Sequence, residues 1–540
     1  MIAFQCPKCG ASMKFDPEQQ IMYCEYCGST MDLEKYNDQL HDKGQFIATE
    51  YHCTQCGGTI MATDATAATF CSYCGSPVAL TGNMTAQKAP KKIIPFKITK
   101  VGCMKAYEKK VRKSFFAPDW MLDPEAEQKF RGIYMPYYSH SFHGEGYFDG
   151  QVKVFYTSGL YDYTDTYDLA TPVKVDYKNI VGDASVAFPD TMSYNLGKPD
   201  PAKEVDFKPA YLSGFYADLS DIREDRMLDY AGDLVTQQIL KEGRAPITIG
   251  SHTTNVYVGP AMADIANKGL EVNTDTVLNP VWFMSNRRGD KISYAAVDGV
   301  DCDVAVDIPI DFKKYLLVAI LVTGIISAVF NLMNIVPDPE TVLNLSVWMA
   351  IVGWIISSRE YAKLWRRRKG YDDIGSMDDD AFLKVRETLN KPVKRLKNRA
   401  KNAKDRVTGM NGCLPVIIII LAIPLFPFAA AAITFLFPCF VVYAIIKAVT
   451  GNGIGFGKNK VKDFKPPFMV RLLRSLPFIV SMLVAIDAQT TFAENDTVQY
   501  AIAFAAIGIN VLMNFYTVRM QNDYAMRDIP VFTQKRGGDM

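Results

Sequence analysis

The chain has 540 residues, with 59 Lys+Arg against 58 Asp+Glu. At about 100–200 residues per domain this allows two to four domains and excludes a single small module. Five histidines and no recognisable nucleophile or cofactor fingerprint weigh against a conventional enzyme. Residues 1–89 hold eight of the twelve cysteines, residues 90–314 are mixed and aromatic-rich, and residues 315–518 contain long uncharged stretches. A balanced average therefore conceals a soluble half and a membrane half.

The first elements are four copies of one phrase: Cys6-Pro-Lys-Cys9-Gly, Cys24-Glu-Tyr-Cys27-Gly, Cys53-Thr-Gln-Cys56-Gly and Cys71-Ser-Tyr-Cys74-Gly. Within each half the pairs are fourteen residues apart, and the second half repeats the first at an offset of 47. This tandem C-x2-C-x14-C-x2-C unit fits tetrahedral zinc, whose four thiolates at about 2.3 Å are supplied by two tight turns. Glycine after each pair tolerates the positive φ such a knuckle requires. Phe15, Met22, Tyr23, Ile60, Met61 and Phe70 are candidates for the apolar layer behind the metals. Units of this size cannot build a sufficient core, so metal binding supplies much of their folding free energy.

A disulfide framework is the bland alternative. Met1 to Cys6 lacks a charged and apolar signal region, so export to an oxidising compartment is not expected. A redox C-x-x-C calls for a single pair near a βαβ unit, not four matched pairs. The expected ligands are Cys6, Cys9, Cys24 and Cys27 for one Zn2+, and Cys53, Cys56, Cys71 and Cys74 for a second. Residues 1–89 carry five lysines, no arginine and nine acidic residues. Phosphate-binding surfaces are built from Lys and Arg, so protein interaction or a structural role is favoured over nucleic acid.

Nine basic residues lie between 91 and 113, against Glu108 alone. Met104, Tyr107, Val111 and Phe115 at spacings of three and four predict an amphipathic helix with a basic face. It reads either as a solvated helix packed on its own domain or as a contact with anionic headgroups. From Arg131 to about Pro209, period-two aromatic and β-branched runs predict antiparallel strands. A helix is expected over 217–242, with strands again over 247–258 and 281–306. A weak echo links Tyr134-Met-Pro136-Tyr-Tyr138 with Leu278-Asn-Pro280-Val-Trp282, suggesting two related β units. His140 and His143 lack a matching pair, and Asp298 to Asp307 lacks the EF-hand order of ligands.

Uncharged runs long enough to cross about 30 Å of hydrocarbon predict spans near 315–337, 341–358, 411–427, 429–447, 470–490 and 497–518. The 407–446 run is too long for one helix, and Pro424 to Pro427 is placed to turn a hairpin. Segment 358–412 has sixteen basic residues against eight acidic, and 447–474 has seven against one. Positive-inside bias then gives six spans with both termini cytoplasmic in the plasma membrane. Asp487 alone is an acidic residue close to a predicted span, which argues against transport. Within the basic 359–410 loop, Lys391, Lys394, Arg395, Lys397, Arg399 and Lys401 are candidate contacts for anionic lipid or an acidic partner.

The expected architecture is multidomain. Two small-β zinc ribbons (1–35 and 48–82) precede a β-rich α+β cytoplasmic domain (90–312), an all-α transmembrane bundle of about six helices (315–518) and a cytoplasmic tail (519–540). The knuckles, Ile94-Pro-Phe-Lys-Ile98, Phe116-Ala-Pro118, Arg131 to Tyr137, Leu212 to Tyr216, Tyr294 to Gly299 and Ile308-Pro309 together resemble bacterial membrane proteins with a transcription-factor-IIB-type zinc ribbon. The resemblance implies a scaffold that anchors phage-shock-type coat proteins or flotillin-like partners in membrane stress, with homo-oligomerisation left open. The alternatives are a membrane-tethered nucleic-acid-binding protein of replication or transcription, and a transporter with a regulatory zinc-binding domain.

Overall fold

A computed structural model of the chain describes residues 5–33, 45–62, 71–76, 81–123, 129–158, 161–249, 252–257, 262, 270–333, 337–387, 466–492 and 494–532. The spans expected at 411–427 and 429–447, and Lys391 to Lys401 with the basic segment around them, lie outside the described residues.

Strands β1 (Met13–Asp16), β2 (Ile21–Cys24) and β3 (Thr30–Met31) form a small antiparallel sheet. Its first turn is set by Asp16, whose Oδ1 accepts from Glu18 N at 2.8 Å, the side-chain turn mimic that Asp favours. Next come β4 (Gln45–His52), β5 (Thr59–Ala62), β6 (Thr81–Lys88) and β7 (Lys92–Ile93), then helix α1 (Lys100–Arg112). Two long strands, β8 (Arg131–Ser158) and β9 (Tyr161–Asp183), precede α2 (Asp190–Leu196), β10 (Val205–Asp206), β11 (Tyr216–Ala217) and α3 (Glu224–Glu242). A hairpin of β12 (Arg244–Ile249) and β13 (His252–Tyr257) is followed by β14 (Glu271–Arg288), β15 (Lys291–Asp298) and β16 (Val304–Val306).

One large sheet runs in the order β10-β7-β14-β8-β11-β5-β4-β6, with β9 added to β8, and β15 to β14. Its centre has an approximate two-fold symmetry that accounts for the sequence echo. The two echoing segments pair with each other, Tyr134 opposite Pro280 and Pro136 opposite Leu278. Each proline opens a hairpin: Tyr137 faces Asp183 and Val281 faces Asp298. Beyond each hairpin the chain returns a hydrogen bond to that proline, from Ala184 N to Pro136 O and from Gly299 N to Pro280 O, both 2.9 Å. Two short strands flank this centre in parallel, β7 on Val277–Leu278 and β11 on Ile133–Tyr134.

Alternation along these strands buries both faces. Tyr134, Leu278, Trp282, Met284 and Val297 enter one core with α1 and the first cysteine unit. Ile133, Met135, Val281, Phe283, Tyr294 and Ala296 enter the other with the second cysteine unit. Helix α1 contributes Cys103, Tyr107 and Val111 at i, i+4, i+8. Phe115, expected on that apolar face, lies beyond the helix and is 58% exposed. The runs expected as short strands over 131–183 join into strands of 28 and 23 residues. Gly146, Gly150 and Pro172 fall where β8 pairs with β9 alone among the described strands, away from the centre of the sheet where glycine and proline are most costly.

Four described helices are long and apolar enough to cross a membrane: α4 (Phe312–Leu332), α5 (Pro339–Arg368), α6 (Phe468–Thr491) and α7 (Asp496–Ala525). The chain is a multi-pass integral membrane protein. N-caps fix three starts, with Asp311, Asp338 and Asn495 each accepting a backbone N–H of the first turn. Helix α5 continues ten residues past Ser358, where its apolar run stops; Ala, Leu and Arg sustain helix as well as apolar residues do. Helices α5, α6 and α7 pack through small residues, Ala350, Ala485, Ala488, Ala503 and Ala506, which let backbones approach closely in lipid. Asn510 Nδ2 joins all three helices, donating to Ser346 O and to Ser481 Oγ at 3.2 Å each. Helix α4 buries no residue among the described residues.

A last strand, β17 (Arg527–Asp528), follows α7 and pairs with Lys291 and Ile292 of β15.

Candidate metal centre

All four Cys-x-x-Cys turns share one local geometry. The first cysteine N–H bonds the carbonyl five residues on, from Cys6 to Ala11, Cys24 to Ser29, Cys53 to Gly58 and Cys71 to Ser76, at 2.7–2.9 Å. The glycine after each pair returns an N–H to that first cysteine, and Gly10, Gly28, Gly57 and Gly75 have φ between 66° and 74°. That is the left-handed conformation in which glycine carries no Cβ penalty. The repeated phrase thus encodes a repeated loop.

The loops meet in pairs. Cys6 and Cys27 sulfurs lie 3.5 Å apart and Cys9 and Cys24 3.6 Å; Cys53–Cys74 and Cys56–Cys71 are both 3.7 Å. Within each set the ligand atoms all lie within 4.8 Å of one another. A tetrahedral ion with metal–sulfur bonds of about 2.3 Å requires sulfurs about 3.8 Å apart, whereas a disulfide brings them to about 2.05 Å. All eight cysteines are free. Both sets are geometrically compatible with metal coordination, and four soft thiolates with no oxygen donor suit zinc. Each repeat also sets a serine hydroxyl beside its last cysteine, Ser29 at 2.7 Å from Cys27 and Ser76 at 3.3 Å from Cys74. The Ser29 hydroxyl, with its backbone N–H, lowers the Cys27 thiol to about 6, and hydrogen bonds from Cys56 and Cys71 lower Cys53 to about 6.

The two sites differ in their surroundings. In the first, Cys6 and Cys24 are buried while Cys9 and Cys27 are exposed. It docks on one face of the large sheet through Phe15, whose ring meets Tyr211 at 5.2 Å and whose N–H bonds Ser213 O. In the second, all four cysteines are buried, and its strand β5 pairs with β11 of the large sheet. Met22, Ile60 and Met61 supply the expected apolar layer with Phe15; Tyr23 is only partly covered, and Phe70 lies outside the described residues.

The chain after α7 closes over the second site. Phe532 N donates to Cys56 O at 2.6 Å, and its ring meets Tyr73 at 5.9 Å. Arg527 pairs with Asp307 at 3.1 Å and stacks over Tyr294 at 5.1 Å, while Tyr294 OH donates to Tyr73 O at 2.9 Å. Sequence reasoning missed these partners, since Phe532 lies far along the chain in an unpatterned tail.

Other candidates resolve into structural roles. His140 is buried, with Nδ1 3.0 Å from Thr274 Oγ1, and burial lowers it to about 4, so it is neutral; His143 is exposed. Among Asp298 to Asp307, Asp298 caps a turn by accepting from Val300 N and Asp301 N, and Asp301 pairs with Lys203. Asp487 is exposed near the end of α6. Three deeply buried carboxyls carry no signal in the sequence pattern. Burial pushes Asp183 and Asp218 up to about 7, and Asp190, beside Asp183, is driven well above its usual range by burial and that neighbour.

No protein-family model and no solved structure matches the chain. It is 30% identical over 299 residues to the "Uncharacterized protein YdjG" of Bacillus subtilis (strain 168), an alignment covering 53% of this chain and 83% of that protein. With that identity over most of the relative's length, the chain belongs to the same family as the Bacillus subtilis protein.

Proposed function

We propose that the chain is a non-enzymatic membrane scaffold, whose two zinc ribbons and β-rich domain face the cytoplasm and recruit protein partners to the plasma membrane. One comparison within the molecule carries this reading. Tyr26 and Tyr73 occupy the same place in the two repeats, yet Tyr26 is 84% exposed and Tyr73 is 0% exposed. Tyr73 is engaged by Phe283, Phe532 and Tyr294 of its own chain. Tyr26 offers the same rigid aromatic on an equivalent loop with no described residue covering it, and exposed tyrosine on a fixed scaffold is a preferred anchor of protein interfaces.

The resemblance noted above points to phage-shock-type coat proteins or flotillin-like proteins as partners in membrane stress. The acidic first 89 residues support protein over nucleic acid. The polar contacts of Asn510 are short helix-to-helix hydrogen bonds between uncharged groups, which serve association and do not by themselves favour transport.

The test is affinity purification of full-length Tyr26→Ala from gently solubilised native membranes, with proteins and nucleic acid identified in one eluate. Loss of co-purifying proteins with zinc content and membrane insertion unchanged is the expected result. An unchanged partner set, or nuclease-sensitive nucleic acid in place of protein, overturns the reading.

A further inference from the structure

The end of α1 stands where the membrane-spanning region begins. Asp311 N donates to Phe116 O at 2.7 Å, Lys314 Nζ reaches Ala117 O at 2.8 Å and Asp119 Oδ1 at 2.6 Å, and the Phe116 and Tyr315 rings are 5.7 Å apart. These are the first residues of α4, a helix long and apolar enough to cross a membrane and with no residue of its apolar span buried among the described residues. The charged start of such a helix marks the headgroup level, and the 115–119 segment is held against it.

Lys105, Lys109 and Lys113 follow one another at i, i+4, i+8, opposite the buried row Cys103, Tyr107 and Val111. Lys110 stands beside them, and all four lysines are exposed with no ion-pair partner among the described residues. The neighbouring acids are engaged elsewhere, Glu108 by Arg112 and Asp119 by Lys314. Lys109, Lys110 and Lys113 lie within about one helical turn, roughly 5.4 Å, of the end of α1, and Phe115 follows, exposed and edge-on to Phe116 at 5.4 Å between centroids. A basic cluster with no acidic partner among the described residues, and with an exposed aromatic at the bilayer boundary, has the composition of an interfacial anchor.

We propose that Lys109, Lys110, Lys113 and Phe115 form a contact for anionic lipid headgroups, the ammonium groups meeting lipid phosphates while Phe115 enters the boundary between headgroups and acyl chains. The patch is continuous with the charged start of the membrane-spanning helix α4, which commits it to a membrane surface rather than a soluble anion.

The test uses full-length protein in lipid nanodiscs and follows acylation of individual lysines by mass spectrometry. Lys109, Lys110 and Lys113 are expected to react about fivefold more slowly in discs containing one-third phosphatidylglycerol than in all-phosphatidylcholine discs, the factor that corresponds to ~1 kcal/mol per lysine near an anionic surface. The protection should fade when salt shortens the Debye length to about 3 Å, and exposed Lys198 should not change. Phe115→Ser, a change at an exposed position, is expected to restore at least part of Lys113 reactivity. Equal rates in both discs overturn the proposal, as does equal protection in neutral discs by inorganic phosphate; an unaltered Lys113 rate in Phe115→Ser overturns the part assigned to Phe115.

Discussion

Replacing Cys71 by serine is expected to unsettle the β-rich domain and the tail behind α7, whereas Cys9→Ser disturbs only the first repeat. Binding of structural zinc to isolated thiolate peptides contributes about 10–16 kcal/mol, as much as the whole net stability of a typical domain, about 5–15 kcal/mol. At the second site that contribution is shared by β5, which pairs with Tyr216–Ala217, by Tyr73 between Phe283 and Phe532, and by the 2.6 Å bond from Phe532 N to Cys56 O. At the first site Cys9 and Cys27 are exposed, and the dependent strands β1 to β3 form a separate sheet whose backbone is tied to the domain at Ser213 alone among the described residues, through Phe15 N and Met13 O. Hydrogen exchange and metal content of the solubilised full chain distinguish the two cases. Both variants should lose half of the bound zinc. Cys9→Ser should lose protection over 13–31 alone. In Cys71→Ser, exchange should quicken at 59–62, 71–76, 291–292 and 527–532, by a factor of about 100 or more, equivalent to ~2.7 kcal/mol. Wild-type protection at 527–532 in Cys71→Ser would show that the tail docks independently of the metal, and the coupling argument would fail.

Phe532→Ala removes a buried ring, a loss of about 3–5 kcal/mol for full truncation; a chromogenic chelator should then strip the second site faster while the first site is unaffected, and equal acceleration at both sites would contradict the assignment. Burial raises Asp183 to about 7 from an unfolded value near 3.9, so its proton is held more tightly in the folded state. Stability is then fully present below about pH 4 and lost as pH rises through about 7, a swing on the order of 4 kcal/mol at ~1.4 kcal/mol per unit. Asp183→Asn should flatten the decline of the unfolding midpoint between pH 5 and pH 8, and an unchanged slope would locate the titration elsewhere. Asn510→Ala should cost only about 0.6–1.7 kcal/mol in detergent unfolding, with insertion intact; a loss of several kcal/mol would mean that the helices α5, α6 and α7 depend on it for more than one interhelical contact.

Much of this was legible because its causes are local. A Cys-x-x-Cys-Gly turn carries its geometry in five residues, so ligands, spacing and positive-φ glycines were all readable before any fold was known. Lipid-spanning helices are legible for the same reason, since about 20 apolar residues state their own length requirement. The sequence echo at Pro136 and Pro280 suggested related units but not that they pair with each other, because strand register is a long-range property set by which faces are buried. Helix α1 forms where the apolar spacing predicts it, but Phe115 lies beyond its end, because periodicity does not reveal where a helix stops. Asp183, Asp190 and Asp218 look like ordinary surface acids in the sequence; tertiary packing encloses them, with Ile374 N on Asp190 and the Ser185 hydroxyl on Asp218. Arg527 and Phe532 carry no signal, as their partners lie more than 200 residues away, at Tyr294 on β15 and Asp307 just after β16 or in the second cysteine unit.

The divergence of the two cysteine units follows from the symmetry of the sheet between them. The approximate two-fold gives β7 and β11 equivalent places beside β14 and β8, but their outer neighbours differ: β7 is followed by the two-residue β10 and β11 by β5 of the second repeat. The second repeat therefore continues the sheet, and its knuckle must bury Tyr73 against Phe283 and Phe532. The first repeat finds that edge occupied and docks on a face instead, at Ser213 and through Gln20 Nε2 to Phe96 O at 2.7 Å, with its cysteine loops outward. Identical loops thus acquire opposite roles from position alone: the buried copy ties the membrane tail to the domain, and the exposed copy keeps Tyr26 available to the partners proposed for it. Grafting the Cys71 to Ser76 loop onto the first repeat should then leave recruitment intact, because the docking residue is shared and only its surroundings differ.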